Sequence, residues 1–180
     1  MIPKRLVMFL LLTAWWYFPV AGQQGRNTLI ITHPTVSTLE RIRFLISEDI
    51  LVLPEDMHLI LAYHQDEAYE YANAQVWLDS NSLPRSFEIQ PLSCPLTPEV
   101  LHRENACTEN FKGLFQRSAG IIFFGGPDLP PVIYGQEMNL LTEVQDPYRH
   151  YWEASLIFHL LGRVQAPDFQ PFLKANPSYA

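Results

Sequence analysis

From Asn27 onward the chain alternates two kinds of apolar spacing. Asn27-Thr-Leu-Ile-Ile-Thr32 is a short, continuously apolar, β-branched run and predicts a buried strand. Ser37-Thr-Leu-Glu40 has capping-box spacing, and Leu39, Ile42, Leu45 and Ile46 follow at helical intervals, so a helix is expected to about Ser47. His58-Leu-Ile-Leu-Ala-Tyr63 reads as a second strand. Glu67 to Leu78 reads as a second helix, with Tyr71, Ala74 and Leu78 on one face. Phe87-Glu-Ile-Gln-Pro-Leu92 alternates and predicts a third strand, weakened by Pro91. Thr108 is placed to cap a third helix with Phe111, Leu114 and Phe115 inward. Gly120 to Phe124 predicts a fourth strand. Pro147 to Gly162 predicts a fourth helix, with Trp152, Leu156, Leu160 and Leu161 as its apolar face and a proline in the first turn, where it is tolerated.

Strands alternating with helices argue for a parallel sheet covered on both faces. Leu29–Ile31 and Ile121–Phe124 are apolar without interruption, as strands buried on two sides should be. Ligands of such sheets bind beyond the carboxyl ends of the strands. Gly125-Gly126-Pro127-Asp128 follows the fourth strand and lies at such an end. Glycines let the backbone turn there without side chains in the way. His33 and His64, which follow the first and second strands, are expected at the same end.

Composition narrows the classes. The 180 residues fit one domain, and 48% hydrophobic with 17% charged residues is a globular composition. A net charge of −7 leaves no basic footprint for nucleic acid or an anionic membrane, so neither is expected as a partner. Residues 1–22 have the layout of a secretory signal peptide: Lys4 and Arg5, an uncharged run from Leu6 to Val20, then Val20-Ala21-Gly22. That run is about 15 residues, short of the ~20 needed to span a bilayer. A secreted or periplasmic location follows, with no membrane attachment after cleavage. Cleavage removes Lys4 and Arg5 and takes the charge from −7 to −9. Cys94 and Cys107 are the two cysteines, and in an oxidising compartment they can pair. A disulfide and two free thiols both fit the sequence. No spacing suggests a metal-binding helix, a Cys-x-x-Cys site, a Gly-x-Ser-x-Gly elbow or a phosphate loop, so no metal and no cofactor is expected.

One stretch goes further. Ala119-Gly-Ile-Ile-Phe-Phe-Gly-Gly-Pro-Asp128, then Pro131, Tyr134-Gly135, Asp146-x-x-Arg149 and Glu153, together resemble the class I glutamine amidotransferase-like superfamily, and within it the γ-glutamyl hydrolase branch. The resemblance is closest over residues 119–160. From Leu29 to Phe87 it rests on the order of strands and helices. It implies a flavodoxin-like three-layer α/β sandwich with a mostly parallel sheet, and hydrolysis of a glutamine or γ-glutamyl amide by a cysteine nucleophile. It assigns Gly125 and Gly126 to the oxyanion hole, where fixed N–H donors suit a developing charge. It makes Asp128, Tyr134, Asp146, Arg149 and Glu153 substrate-binding candidates. Arg149 and Glu153, at i and i+4, also have the spacing of a structural pair on one helix face, and both readings stand. The family pattern has a second Asp after this Arg, where His150 stands here.

The family's nucleophile lies in a Gly-Ile-Cys-x-Gly-x-Gln elbow, and its base in a later His-x-Glu. Neither follows Asp146. The resemblance therefore implies that residues 27–180 are the N-terminal part of such a domain, truncated before the nucleophile strand and inactive alone. The partner expected for a completed site is a small γ-glutamyl or glutamine-like substrate; nothing indicates an oligomeric state. One alternative is a non-catalytic binding module that keeps the oxyanion-hole loop. Another is an enzyme built on Cys94, His102 and Glu104, read against as surface loop residues because no strand–turn–helix elbow surrounds either cysteine.

Overall fold

The computed structural model describes residues 27–125 and 128–175. The expected signal peptide, and Gly126 and Pro127 of the Gly-Gly turn, lie outside the described residues. The elements are β1 (Thr28–Thr32), α1 (Val36–Ser47), β2 (His58–His64), α2 (Tyr71–Ser80), β3 (Ser86–Leu92), α3 (Thr108–Arg117), β4 (Gly120–Ile122), α4 (Pro147–Leu161) and a helical turn α5 (Phe172–Ala175). The four strands form one sheet in the order β3-β2-β1-β4. Every pairing is parallel, with Ile30 opposite Ile60 and Ile121. This is the flavodoxin-like α/β arrangement.

Alternate residues of each strand face opposite sides, and two separate cores result. Leu59, Leu61 and Ile31 point to one face and pack under Leu39, Ile42 and Ile46 of α1 and Ala74 and Leu78 of α2. Ile30, Ile60, Ala62 and Leu92 point to the other, under Phe111, Leu114 and Phe115 of α3 and Trp152, Leu156 and Leu160 of α4. Trp152 is the largest side chain buried completely. The helices thus form one layer on each side of the sheet. Among the described residues no helix is long and apolar enough to cross a membrane.

Several local expectations are corrected. Thr35, not Ser37, caps α1: its hydroxyl accepts from the Thr38 N–H, and Ser37 lies inside the helix. Thr35 lies in extended backbone, φ −70° and ψ 163°, which is the cap conformation. α2 begins at Tyr71 rather than Glu67, because the Glu67 carboxylate is drawn back to the end of β2. Thr108 is the first residue of α3, and its cap position is Cys107. β4 ends at Ile122, two residues early, as the chain peels away from β1 toward the turn. Pro91 is tolerated because β3 is an edge strand, paired on one side only.

The two cysteines are bonded, with an S–S distance of 2.06 Å. Both are buried rather than on the surface. The bond staples the irregular segment between β3 and α3 onto the α3–α4 core.

Candidate functional site

The carboxyl ends of β1 and β2 are polar and buried. Thr32, His33, His64, Glu67, Asp146, Arg149, His150 and Glu153 are all less than a tenth exposed. Three elements bring them together. β1 and β2 deliver the first four in their last residues or the turn that follows. The first two turns of α4 deliver the rest, because Trp152 and Leu156 bury that face of the helix against the sheet.

Glu67 is the hub. Its Oε1 accepts from the His64 backbone N–H at 2.7 Å and from the Trp152 indole N–H at 2.8 Å. Its Oε2 accepts from the Tyr71 hydroxyl at 2.5 Å. Burial, and then Glu67, push the Tyr71 phenol well above its ordinary range, so it keeps the proton it donates. His33 Nδ1 lies 2.9 Å from that phenol oxygen and 3.3 Å from Glu67 Oε2. His33 is also one of two described non-glycine residues in the left-handed region, with φ 54°.

Asp146 caps α4. Its Oδ1 accepts from the Tyr148 N–H at 2.9 Å, while Oδ2 reaches across to the Ala68 N–H at 2.6 Å. It therefore ties the start of α4 to the β2 end.

Arg149 and Glu153 form the pair that their spacing allows, with Nε 3.7 Å from Oε2. They do more than pair. Arg149 Nη2 donates to the Phe124 carbonyl at 2.5 Å, immediately before Gly125. Glu153 Oε1 accepts from the Thr32 hydroxyl at 2.6 Å. The start of the Gly-Gly turn, α4 and the end of β1 are thus linked in one chain of contacts. Burial is the main force on Glu153 and raises its carboxyl to about 7, against the lowering effects of Thr32 and Arg149.

His150 is buried, and neither ring nitrogen has a hydrogen-bond partner among the described residues; Arg149 Nε is the third such atom. Burial, then the Arg149 charge, lower its pKa, so the ring is neutral at pH 7.

The remaining candidates lie apart. Gly125 is exposed, and a Cβ built there meets nothing within 4 Å. Neither crowding nor a left-handed φ demands glycine at that residue, so the expectation of a sharp glycine turn is not met at Gly125 itself. Asp128 is exposed and accepts from the Glu143 N–H at 3.2 Å. Tyr134 is exposed in a 3₁₀ turn and lines a shallow cleft with Ala154, Ile157 and Phe158 on another face of α4. It does not join the buried cluster.

His64 is at the expected end, but both ring nitrogens are used: Nε2 donates to the Cys94 carbonyl at 2.8 Å and Nδ1 accepts from the Asp66 N–H at 3.2 Å. His64, Cys94 and Cys107 offer ligand atoms within 4.8 Å of one another. With the two sulfurs bonded to each other, neither is a thiolate, and the group makes no metal site as it stands. The same bond removes Cys94 as a nucleophile and with it the Cys94–His102–Glu104 arrangement.

Glu67, Tyr71 and Thr32 join the buried polar cluster and are not singled out by the sequence pattern. Glu67 and Tyr71 sit at helical spacing and were absorbed into a helix. The available signal was a carboxylate directly after a buried strand, where a helix start seldom buries one. No family model matches the chain, and no curated protein or solved structure matches it.

Proposed function

We propose that this chain forms the amide-recognising part of a secreted glutamine amidotransferase-like hydrolase of γ-glutamyl type. In this reading the N–H groups of Gly125 and Gly126 serve the oxyanion of a glutamine or γ-glutamyl amide under attack, and a cysteine outside these residues supplies the thiolate. The observation that carries it is the hydrogen bond from Arg149 to the Phe124 carbonyl. A buried guanidinium, paired with Glu153, which in turn accepts from Thr32, holds the Phe124 carbonyl just before Gly125. Donors that stabilise a transition state must be fixed before the reaction, and a brace on the preceding residue supports that role for the Gly125 N–H. Of the five substrate-binding candidates, Arg149 and Glu153 belong to that brace and Asp146 caps the helix that carries them, while Asp128 and Tyr134 make no contact with it.

The test is to read the coding DNA past the codon for Ala180, express whatever it encodes in frame with this chain, and measure amine release from a γ-glutamyl anilide. Turnover that needs a cysteine encoded downstream, and that falls about 100-fold in Arg149→Met through misplacement of the turn, supports the reading. A product that folds and neither hydrolyses nor binds the anilide removes it.

A second reading, a non-catalytic binding module, is favoured by one observation: both cysteines of this chain are consumed in the disulfide. It expects binding of the anilide with no turnover in any product of the locus.

A further inference from the structure

The hydrogen-bond directions around Glu67 fix the tautomer of His33. The single proton of the Tyr71 hydroxyl goes to Glu67 Oε2. The phenol oxygen then has only lone pairs to offer His33 Nδ1, 2.9 Å away, and the second neighbour of Nδ1 is a carboxylate oxygen at 3.3 Å. A lone pair on Nδ1 would face lone pairs on both. In the neutral ring the proton therefore sits on Nδ1, and Nε2 is an acceptor.

That acceptor is unused among the described residues. Nε2 makes no hydrogen bond among the described residues, and it is not one of the sealed nitrogens, which belong to Arg149 and His150. The ring is held edge-on by Tyr69 at 4.3 Å. Its backbone stays in the left-handed region that side chains other than glycine seldom adopt, and such strain collects at ligand sites. The register puts it in the right place. Ile31 pairs with Ile122, the last paired residue of β4, and Thr32 beside His33 is linked through Glu153 and Arg149 to the Phe124 carbonyl, next to Gly125.

The surroundings select the ligand. Glu67, Asp146 and Glu153 set three carboxyl groups around one guanidinium, Arg149, and the neutral ring of His150. An anionic group is disfavoured there, and a group that brings N–H donors and positive charge is favoured. We propose that His33 Nε2 is a ligand-binding acceptor for the ammonium group of an amino-acid-like substrate, aimed by Tyr71 and Glu67. This rests on the reading above, in that a γ-glutamyl or glutamine substrate carries such an ammonium. It names which end of that substrate the β1 terminus holds.

The experiment uses the mature chain labelled with ¹⁵N, with L-glutamine and its des-amino analogue glutaramate as probes. Imidazole ¹⁵N spectra are expected to show His33 protonated on Nδ1 in the unaltered chain and in Tyr71→Phe, where Glu67 Oε2 remains as the acceptor. L-Glutamine is expected to shift His33 Nε2 and to bind about tenfold more tightly than glutaramate, as one charge-assisted hydrogen bond allows. In His33→Asn, which the left-handed backbone tolerates, the two probes are expected to bind equally. Equal binding of both probes to the unaltered chain, with shifts at the Gly125 amide but not at His33, overturns the inference and leaves the amide-site reading standing. No shift at Gly125 or His33 with either probe overturns both.

Discussion

Two buried polar groups share the carboxyl end of this sheet, and they are built in opposite ways. Around Glu67 every strong partner is met: a backbone N–H, an indole N–H and a phenol converge on one carboxylate. On the first turns of α4, Arg149 and His150 leave three buried nitrogens without a hydrogen bond among the described residues, one of them, Arg149 Nε, in an ion pair with Glu153. A satisfied buried network stiffens what it touches, while an unsatisfied buried group is a standing cost. Glu67 locks the ends of β1 and β2 to α4. Arg149 reaches the Phe124 carbonyl just before Gly125, and His150 beside it stays buried without a hydrogen bond.

The sharpest way to break that contrast is to remove the hub. Glu67→Ala orphans donors on His64, Tyr71 and Trp152, each worth about 1–3 kcal/mol, so a loss on the order of 4 kcal/mol is expected in urea unfolding. A loss below about 1 kcal/mol, the scale of a single ordinary hydrogen bond, would show that the network is not structural.

The disulfide comes next. It closes a segment with a sequence separation of 13, and opening a loop of that size costs about 3 kcal/mol. Cys107→Ser should lower the melting temperature without altering the ¹⁵N signature of His33. A change at His33 would mean that the staple, rather than the Glu67 hub, sets the strand ends.

Glu153 gives a pH test of the other group. Its folded carboxyl is raised from 4.5 to about 7. A raised folded pKa means stability fully present below the unfolded value and lost as pH rises through the folded one. Between pH 4.5 and pH 7 the wild-type chain should lose up to about 3 kcal/mol more than Glu153→Gln, read from paired denaturation curves. Parallel curves for the two proteins would contradict the burial of an ionising carboxyl there.

The smallest effect has the opposite sign. His150→Leu replaces two unpaired nitrogens with an apolar side chain and should be neutral or stabilising by about 1 kcal/mol. Destabilisation beyond about 2 kcal/mol would show that the ring has a structural partner after all.

The fold was legible because its signal is periodic. Leu29–Ile31, His58–Tyr63 and Trp152-Leu156-Leu160 announce their elements by spacing alone, and the parallel sheet with helices on both faces follows from strand–helix alternation. The site was legible only where a motif carried it: Asp146, Arg149 and Glu153 belong to one helix, and their spacing puts them on one face. Glu67, Thr32 and Tyr71 were not legible, because their role depends on partners far away in the chain. Thr32 meets Glu153 across 121 residues, and Glu67 meets Trp152 across 85. Asp128 and Tyr134 lie apart from the cluster for the same reason in reverse. Their place in a motif suggested the site, while the segment that carries them runs out to the surface.

The account's central claim is that the polar carboxyl end of the sheet receives the ligand. Amide hydrogen exchange, with and without a γ-glutamyl anilide, tests it within one molecule. The account predicts slowed exchange at His33, Gly125 and the first turn of α4, and no change at the opposite end, around Met57 and Ala119. Protection spread equally over both ends, or confined to the far one, would contradict it.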